Sequence, residues 1–391
     1  MTTAYILLLI ALGYLATDIY LPSLPFMGVF FSASESQVQL TLFFYLLSFS
    51  CAPMIFGPLS DYLGRRHVIR FGLALSFFAT VLTVISPTIQ IMMALRFIQG
   101  IGTGAVLIAT RSMIVDLFSG KDLAKQISNI TMLIPLILGT APLLGGLLQE
   151  WSGWQASFVW LAVYIFLVFL LSFKFTESVK TRNKKSIREV IADGKELLAN
   201  KEFVLFSLGL VLPSMGIFAY LATSPFIFQQ GLGLSASQYG MLALYTGGVI
   251  MFASFMNTRL IGIISVNGLL FIGVGCILFA GLLMLALYLN GIFTVWSVFV
   301  PVLIYFVSLP LCNSNSISKA MSKITHSYGL ANALTTSFQF MFGALGSVLF
   351  TLFSDQSPLP LALFFIFLGV VTGGALIIAC RLESNCKKSI F

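Results

Sequence analysis

Residues 57–69 read GPLSDYLGRRHVI. An acid, two arginines, a histidine and two glycines crowd into one short gap between long apolar runs. The runs on either side are near twenty residues long, and similar runs recur from one end of the chain to the other. Across 391 residues, 58% are hydrophobic and 9% are charged, where a globular protein carries about 25% charged residues. Runs of that length are the signature of helices that cross a bilayer. They do not alternate apolar with polar residues, as the strands of a membrane barrel would. The stretch 57–69 therefore reads as a polar connection between two membrane spans, and the fold class as all-α and integral to a membrane.

Twelve spans are expected, near 4–31, 38–60, 68–88, 91–117, 127–148, 154–173, 203–229, 238–256, 267–289, 293–318, 329–352 and 359–380. The first run is too long for a cleaved signal peptide and no small-residue cleavage site follows it, so it is expected to remain as span 1. The basic residues sort by side. Arg65, Arg66 and Arg70 lie between spans 2 and 3, and Lys121 and Lys125 between 4 and 5. Eight more, from Lys174 to Lys201, lie between 6 and 7. Arg259, then Lys319 and Lys323, lie in the next even-to-odd gaps, and Arg381, Lys387 and Lys388 in the tail. The odd-to-even gaps contain no Lys or Arg. By the positive-inside rule this alternation sets both termini in the cytoplasm. It also accounts for the net charge of +8, since thin basic loops face anionic lipid; nucleic-acid binding does not follow from it.

The longest connection divides the chain into an N-terminal bundle (1–173), a linker (174–202), a C-terminal bundle (203–380) and a tail (381–391). Ile187, Val190, Ile191, Leu197 and Leu198 recur at helical spacing inside the linker, which fits either an amphipathic helix on the inner leaflet or a solvated connection. Cys51, Cys276, Cys312, Cys380 and Cys386 have no metal-ligand spacing and read as plain thiols. His67 and His326 fall in polar connections and read as solvated. No metal and no cofactor are expected.

Charged side chains inside a bilayer cost about 2.5–3.5 kcal/mol each on insertion scales, so the few present are candidates for function. Asp18 lies within span 1, in the stretch TDIYLPSLP. Pro22 lacks an amide hydrogen and clashes with the carbonyl four residues back, that of Asp18, so the helix is expected to open or bend there. A carboxyl withdrawn from water favours its neutral form. Beside a watery chamber Asp18 would load and release a proton; otherwise it patches the broken backbone ladder. Span 4 reads RFIQGIGTGA from Arg96 to Ala105. Gly100 and Gly104 bare one face for close helix approach. Arg96 projects from roughly that face, into a wet cavity or onto backbone carbonyls. Arg111 is roughly 22 Å farther along the helix and cannot join it in one site. Span 5 reads LGTAPLLGG from Leu138 to Gly146, a slim helix kinked at Pro142.

Together and in this order, these stretches resemble the major facilitator superfamily, and more narrowly the Bcr/CflA-like drug-resistance transporters of its drug:proton antiporter branch. Residues 57–69 match the superfamily's pattern GxxxDxxGR[RK] between spans 2 and 3. Arg96–Ala105 match the branch's RxxQGxG. Gly139, Pro142, Gly145 and Gly146 are similar to the antiporter motif of span 5, with Ala141 where glycine usually precedes the proline. TDxYLP in span 1, AYxxxSPF at 219–226 and WSGWQASF at 151–158 resemble the subgroup, although Gln155 stands where arginine is common.

The resemblance implies two six-helix bundles related by a pseudo-two-fold axis, acting as one monomer in a bacterial inner membrane. It implies a proton-coupled exporter, by alternating access, of small amphipathic compounds such as drugs. Asp18 and Arg96 would couple protons to substrate, and Tyr45, Tyr220 and Gln339 would line the cavity. The loop 57–69 would be a cytoplasmic latch. Gly57 lets span 2 approach span 11, Asp61 faces the positive N-terminal end of span 11, Gly64 allows the turn, and Arg65 pairs with Asp116. The second half keeps only Arg259 of the equivalent loop, so no matching latch is expected there. The same motifs would serve a dedicated exporter of one siderophore, peptide or sugar. A non-transporting sensor or scaffold would not need Asp18. An enzyme is not expected, and the phosphate-binding GxxxxGK[ST] pattern of ATP-driven transport is absent.

Overall fold

The computed structural model describes residues 2–175, 177, 187–324, 327–352 and 357–389. His326 and the side chain of Cys386 lie outside the described residues. The described chain is helical throughout. Its helices are α1 (Thr2–Asp18), α2 (Leu24–Phe30), α3 (Glu35–Leu63), α4 (Arg65–Val84), α5 (Ile89–Leu117), α6 (Gly120–Ser152), α7 (Gln155–Ser172), α8 (Ile187–Ala199), α9 (Lys201–Pro225), α10 (Ala236–Leu260), α11 (Val266–Leu289), α12 (Val295–Met321), α13 (Tyr328–Leu349) and α14 (Leu359–Ser389). Twelve segments are long and apolar enough to cross a membrane, α1 and α2 together forming the first. Large apolar side chains stand exposed along them, as helices in contact with hydrocarbon require.

Local chemistry sets the ends. Ser34 and Gln37 cap α3 reciprocally, and the Thr88 hydroxyl accepts from the Ile91 amide, satisfying first-turn donors that have no partner within the helix. Gly153 closes α6 at φ +79°, a conformation that favours glycine. In α9 the helix passes after Pro225 into a π-helical turn, Phe226–Gly231.

The chain forms two compact units. One comprises residues 1–185, 221–248 and 347–354, the other 186–220, 249–346 and 355–391. In the first, α5 packs between α3 and α4, with no room for more than hydrogen at three glycines. A Cβ on Gly100 would lie 2.1 Å from Ser48 Oγ, one on Gly104 2.5 Å from Ala52 Cβ, and one on Gly102 2.6 Å from the Gly72 carbonyl. In the second, Tyr305 stacks on Phe365 with ring centroids 4.0 Å apart and donates to the Pro213 carbonyl at 2.7 Å. There the linker helix α8 turns Leu197 into a core with Phe203, Phe206, Ala331 and Leu376, and leaves Ile191 and Leu198 exposed.

Candidate functional site

The first unit breaks its first membrane helix at the acid. α1 ends at Asp18; residues 21–23 form a 3₁₀ turn, and α2 resumes at Leu24. Pro22 and Pro25 supply no amide donors here, so the regular ladder cannot continue. Asp18 is 2% exposed, and among the described residues its Oδ2 is buried without a hydrogen-bond partner. Tyr14 lies one turn earlier on the same face, close to Arg111. Gly145 of α6 presses on the opened turn: a Cβ there would lie 1.7 Å from the Ile19 carbonyl oxygen.

Arg96 is fully buried beside this break. Its guanidinium lies 4.2 Å from the Tyr20 ring centroid, 4.3 Å from that of Tyr45 and 5.8 Å from that of Phe158. One nitrogen donates to the Ala16 carbonyl at 3.1 Å and another to Gln99 Oε1. Gln99 passes its own amide to Thr80 Oγ1 at 2.7 Å. The arginine thus grips residues 16 and 20, on either side of Asp18. No hydrogen bond or ion pair joins it to the carboxylate among the described residues. Tyr45 is buried in the same assembly; its hydroxyl donates to the Gly13 carbonyl and accepts from Thr103, both at 3.0 Å. A charge boxed by aromatic faces and carbonyls is stabilised without a counter-ion.

Glycines also set the packing of α6 on α10. A Cβ on Gly139 would lie 3.2 Å from the Ala243 carbonyl, and one on Gly146 2.3 Å from that of Ala236. From the other side, a Cβ on Gly240 would meet the Pro142 carbonyl at 2.6 Å, and one on Gly247 that of Pro135 at 2.5 Å. Glu150 Oε1 then accepts from the Ser237 amide at 2.9 Å, in the first turn of α10. In the π turn, Gln229 donates to the Pro22 carbonyl at 3.0 Å, four residues past Asp18. The period-seven glycines of α10 and the position of Gln229 escaped the sequence reading; a search for spaced small residues in span 8 would have found the glycines.

At the basic end of this unit, Arg65 is 8% exposed. Its Nε donates to Asp116 at 3.0 Å, its Nη1 donates to Ser60 Oγ at 2.6 Å, and its guanidinium pairs with Asp61. Gly64 adopts φ +102°. The Glu177 carboxylate accepts from the amides of Arg65 at 2.9 Å and Arg66 at 3.2 Å, capping α4. A Cβ on Gly64 would lie 2.4 Å from Glu177 Oε2. Gly57 is less confined: its nearest neighbour would be Ile108, 3.8 Å from an added Cβ.

Tyr220 and Gln339 lie in the second unit. Tyr220 meets Phe306 edge-on at 5.6 Å, and Gln339 donates to Ser214 at 3.0 Å. This unit gathers charge at a place the sequence reading did not single out. Lys319 and Lys323 reach Glu383 at 3.0 and 3.1 Å, and Lys323 also reaches Glu202 at 3.0 Å. No cluster of three or more His, Cys, Asp or Glu suited to a metal ion occurs among the described residues.

A family model described as Major Facilitator Superfamily matches residues 6–347. An uncharacterized MFS-type transporter of Bacillus subtilis (strain 168), YdgK, is 30% identical over 88% of this chain and 86% of its own. Multidrug resistance protein D of Escherichia coli (strain K12) is 28% identical over 85% and 84%. The bicyclomycin resistance protein homolog of Haemophilus influenzae is 28% identical over 87% and 86%. Among solved structures, a D-xylose-proton symporter superposes with a TM-score of 0.75 at 17% identity, covering 96% of both chains.

Proposed function

The chain belongs to the Major Facilitator Superfamily, and from that premise we propose that it is a proton-coupled exporter of small amphipathic compounds, drugs among them, working by alternating access. The resistance proteins among its relatives support export. The observation that carries proton coupling is Asp18: a buried acid with an unpartnered oxygen, at a break in a membrane helix, beside an arginine that holds the backbone and not the carboxylate.

In this reading the membrane is the bacterial inner membrane, with the basic ends in the cytoplasm, and the protein works as a monomer. Asp18 takes a proton from the outside and gives it up inside, and substrate binding is coupled to that exchange. One charge crossing 100 mV supplies about 2.3 kcal/mol, enough to bias each cycle outward. Arg96 sets the geometry of the helix break and lends positive potential to the site, while Tyr45 braces it. Tyr220 and Gln339 contribute cavity surface. Gly139, Pro142, Gly145 and Gly146 let α6 pack closely enough to follow the movement. Gly57, Asp61, Gly64, Arg65 and Asp116 form the cytoplasmic latch.

The test is transport in proteoliposomes under an imposed proton gradient, against a panel of cationic, neutral and anionic compounds. A broad profile is expected; a single hit would replace it with a dedicated exporter. Asp18→Asn keeps the side chain's shape and removes its proton. Gradient-driven transport is expected to fall at least about tenfold, the equivalent of about 1.4 kcal/mol, with the size-exclusion profile unchanged. Full gradient-driven transport by this variant would remove Asp18 from the mechanism.

A further inference from the structure

Two arginines at the basic end of the first unit have no role in the transport cycle above. Arg66 and Arg70 are one turn apart on α4, so their side chains share a face. Both are half-buried, and the Nε of each is buried without a partner. Only the backbone of Arg66 is bonded, through its amide to Glu177; its guanidinium has no hydrogen-bond or ion-pair partner among the described residues. Arg70 donates to the Ser172 carbonyl at 3.1 Å, at the end of α7, and lies 4.3 Å from the centroid of the Phe173 ring. Lys174, two residues beyond Ser172, is exposed. The neighbouring acid, Glu177, is engaged by the amides of Arg65 and Arg66 and lies 3.8 Å from His67. An unpaired guanidinium in a partly desolvated place is costly unless an anion joins it.

What lies beside the pair identifies that anion's other end. Val163, Phe166 and Leu170 stand exposed along one face of α7, and Phe173, which caps its C-terminal end, continues that face. Their spacing of three, four and three residues makes a continuous apolar stripe. From Val163 to Phe173 the stripe runs about 15 Å along the helix, the hydrocarbon depth of one leaflet. It ends under the Arg70 guanidinium. A soluble acidic partner would use the charges and not the stripe; a neutral lipid would use the stripe and leave the charges unpaired.

We infer that Arg66 and Arg70 hold the phosphate of an anionic phospholipid from the leaflet at the basic ends, with its acyl chain along the exposed face of α7. Arg70, already fixed by Ser172 and Phe173, is the preorganised contact, and Arg66 closes on the phosphate from one turn below. The lipid would tie α4 to α7 across their inner ends, independently of substrate.

The experiment uses the purified full chain in detergent micelles. It is titrated separately with phosphatidylglycerol, phosphatidylcholine and inorganic phosphate, and bound lipid is counted by native mass spectrometry. Phosphatidylglycerol is expected to bind more tightly than phosphatidylcholine. Arg66→Gln with Arg70→Gln is expected to weaken phosphatidylglycerol about 30-fold, at roughly 1 kcal/mol per basic residue, and to weaken phosphatidylcholine, whose choline cation already offsets its phosphate, much less. Arg66→Gln alone, which removes no bond within the protein, is expected to weaken it about fivefold with the melting temperature intact, so the inference does not depend on the double variant folding. Arg66→Lys with Arg70→Lys should retain most of the binding. Three results would each overturn the inference. One is unchanged phosphatidylglycerol binding in the glutamine variants. Another is an equal loss from Lys121→Gln with Lys125→Gln, which would mean diffuse attraction to basic loops. The last is displacement of the lipid by millimolar inorganic phosphate, which would mean a site for a soluble anion.

Discussion

The guanidinium of Arg96 lies 4.2 Å from the centre of the Tyr20 ring, two residues beyond Asp18, while it donates to the carbonyl of Ala16, two residues before. The charge therefore clasps the peptide on both sides of the acid and makes no bond to the acid itself. A direct ion pair would hold the carboxylate charged and bury both partners' charge in one fixed bond. The clasp instead fixes where the helix breaks, and it meets the arginine's needs with rings and carbonyls.

Arg96→Lys tests whether shape or charge matters. Lysine keeps the charge but loses the planar stack and the fork of donors. Each desolvated cation–π contact is worth about 2 kcal/mol, and two rings lie within 4.3 Å. The variant is expected to melt earlier in detergent, by about 2 kcal/mol or more of stability, and to lose gradient-driven transport. Wild-type melting and transport in Arg96→Lys would mean that a positive charge alone suffices.

Gly145→Ala tests the pressure of α6 on the break. The added carbon would start 1.7 Å from the Ile19 carbonyl oxygen, and both atoms belong to backbone that cannot rotate away. Overpacking of this kind costs about 1–3 kcal/mol, and here the strain falls on the peptide next to Asp18. Gly194→Ala is the control. It lies in α8 with nothing within 4 Å of the added carbon, and alanine there should stabilise by about 1 kcal/mol. Thermal melts of the pair, with transport rates, check both signs.

Much of this was legible in the chain and some was not, for a common reason. Membrane spans announce themselves through composition, so the twelve spans expected agree with the twelve candidate segments of the structure. A charge within an apolar run stands out for the same reason, which is how Asp18 and Arg96 were singled out. Their partners do not stand out as partners. Tyr20 and Phe158 fall in the stretches TDxYLP and WSGWQASF, and Tyr45 reads as cavity lining, but nothing local says that the three rings close on Arg96; folding alone brings them there. Glu177 lies 112 residues from the Arg65 amide that it caps, with no local pattern to mark it. Gly102 is legible as the last glycine of RxxQGxG, but the motif does not say which face it serves; the structure uses both faces of α5, and Gly102 serves the one against α4.

Gly64→Ala should be costly twice over, and the two costs can be separated. At φ +102° and ψ 146°, a side chain is strained by about 1–3 kcal/mol. A Cβ would also start 2.4 Å from Glu177. Glu177→Ala removes the second cost and leaves the first. Gly64→Ala is therefore expected to destabilise the wild-type chain more than it destabilises Glu177→Ala, by about 1 kcal/mol in a double-mutant cycle. Equal effects in both backgrounds would mean that the glycine serves backbone conformation alone.

Asp61→Asn separates latching from binding. Arg65 holds two acids, but unequally. Asp116 is reached at 3.0 Å with 26% of its side chain exposed, whereas the Asp61 side chain is 44% exposed. An ion pair that exposed contributes under about 1 kcal/mol to folding, and Arg65 keeps Asp116 and Ser60 when Asp61 is neutralised, so the variant should fold and melt as wild type. Turnover is another matter if the loop is a latch. A barrier raised by about 1.4 kcal/mol slows the cycle tenfold, and a loss near that size is expected in proteoliposomes. Equilibrium binding of the same substrate, measured on the same preparation, should be unchanged. If affinity fell and turnover at saturating substrate did not, Asp61 would belong to the binding site, and the loop's two glycines and the pairing of Arg65 with Asp116 would need another explanation.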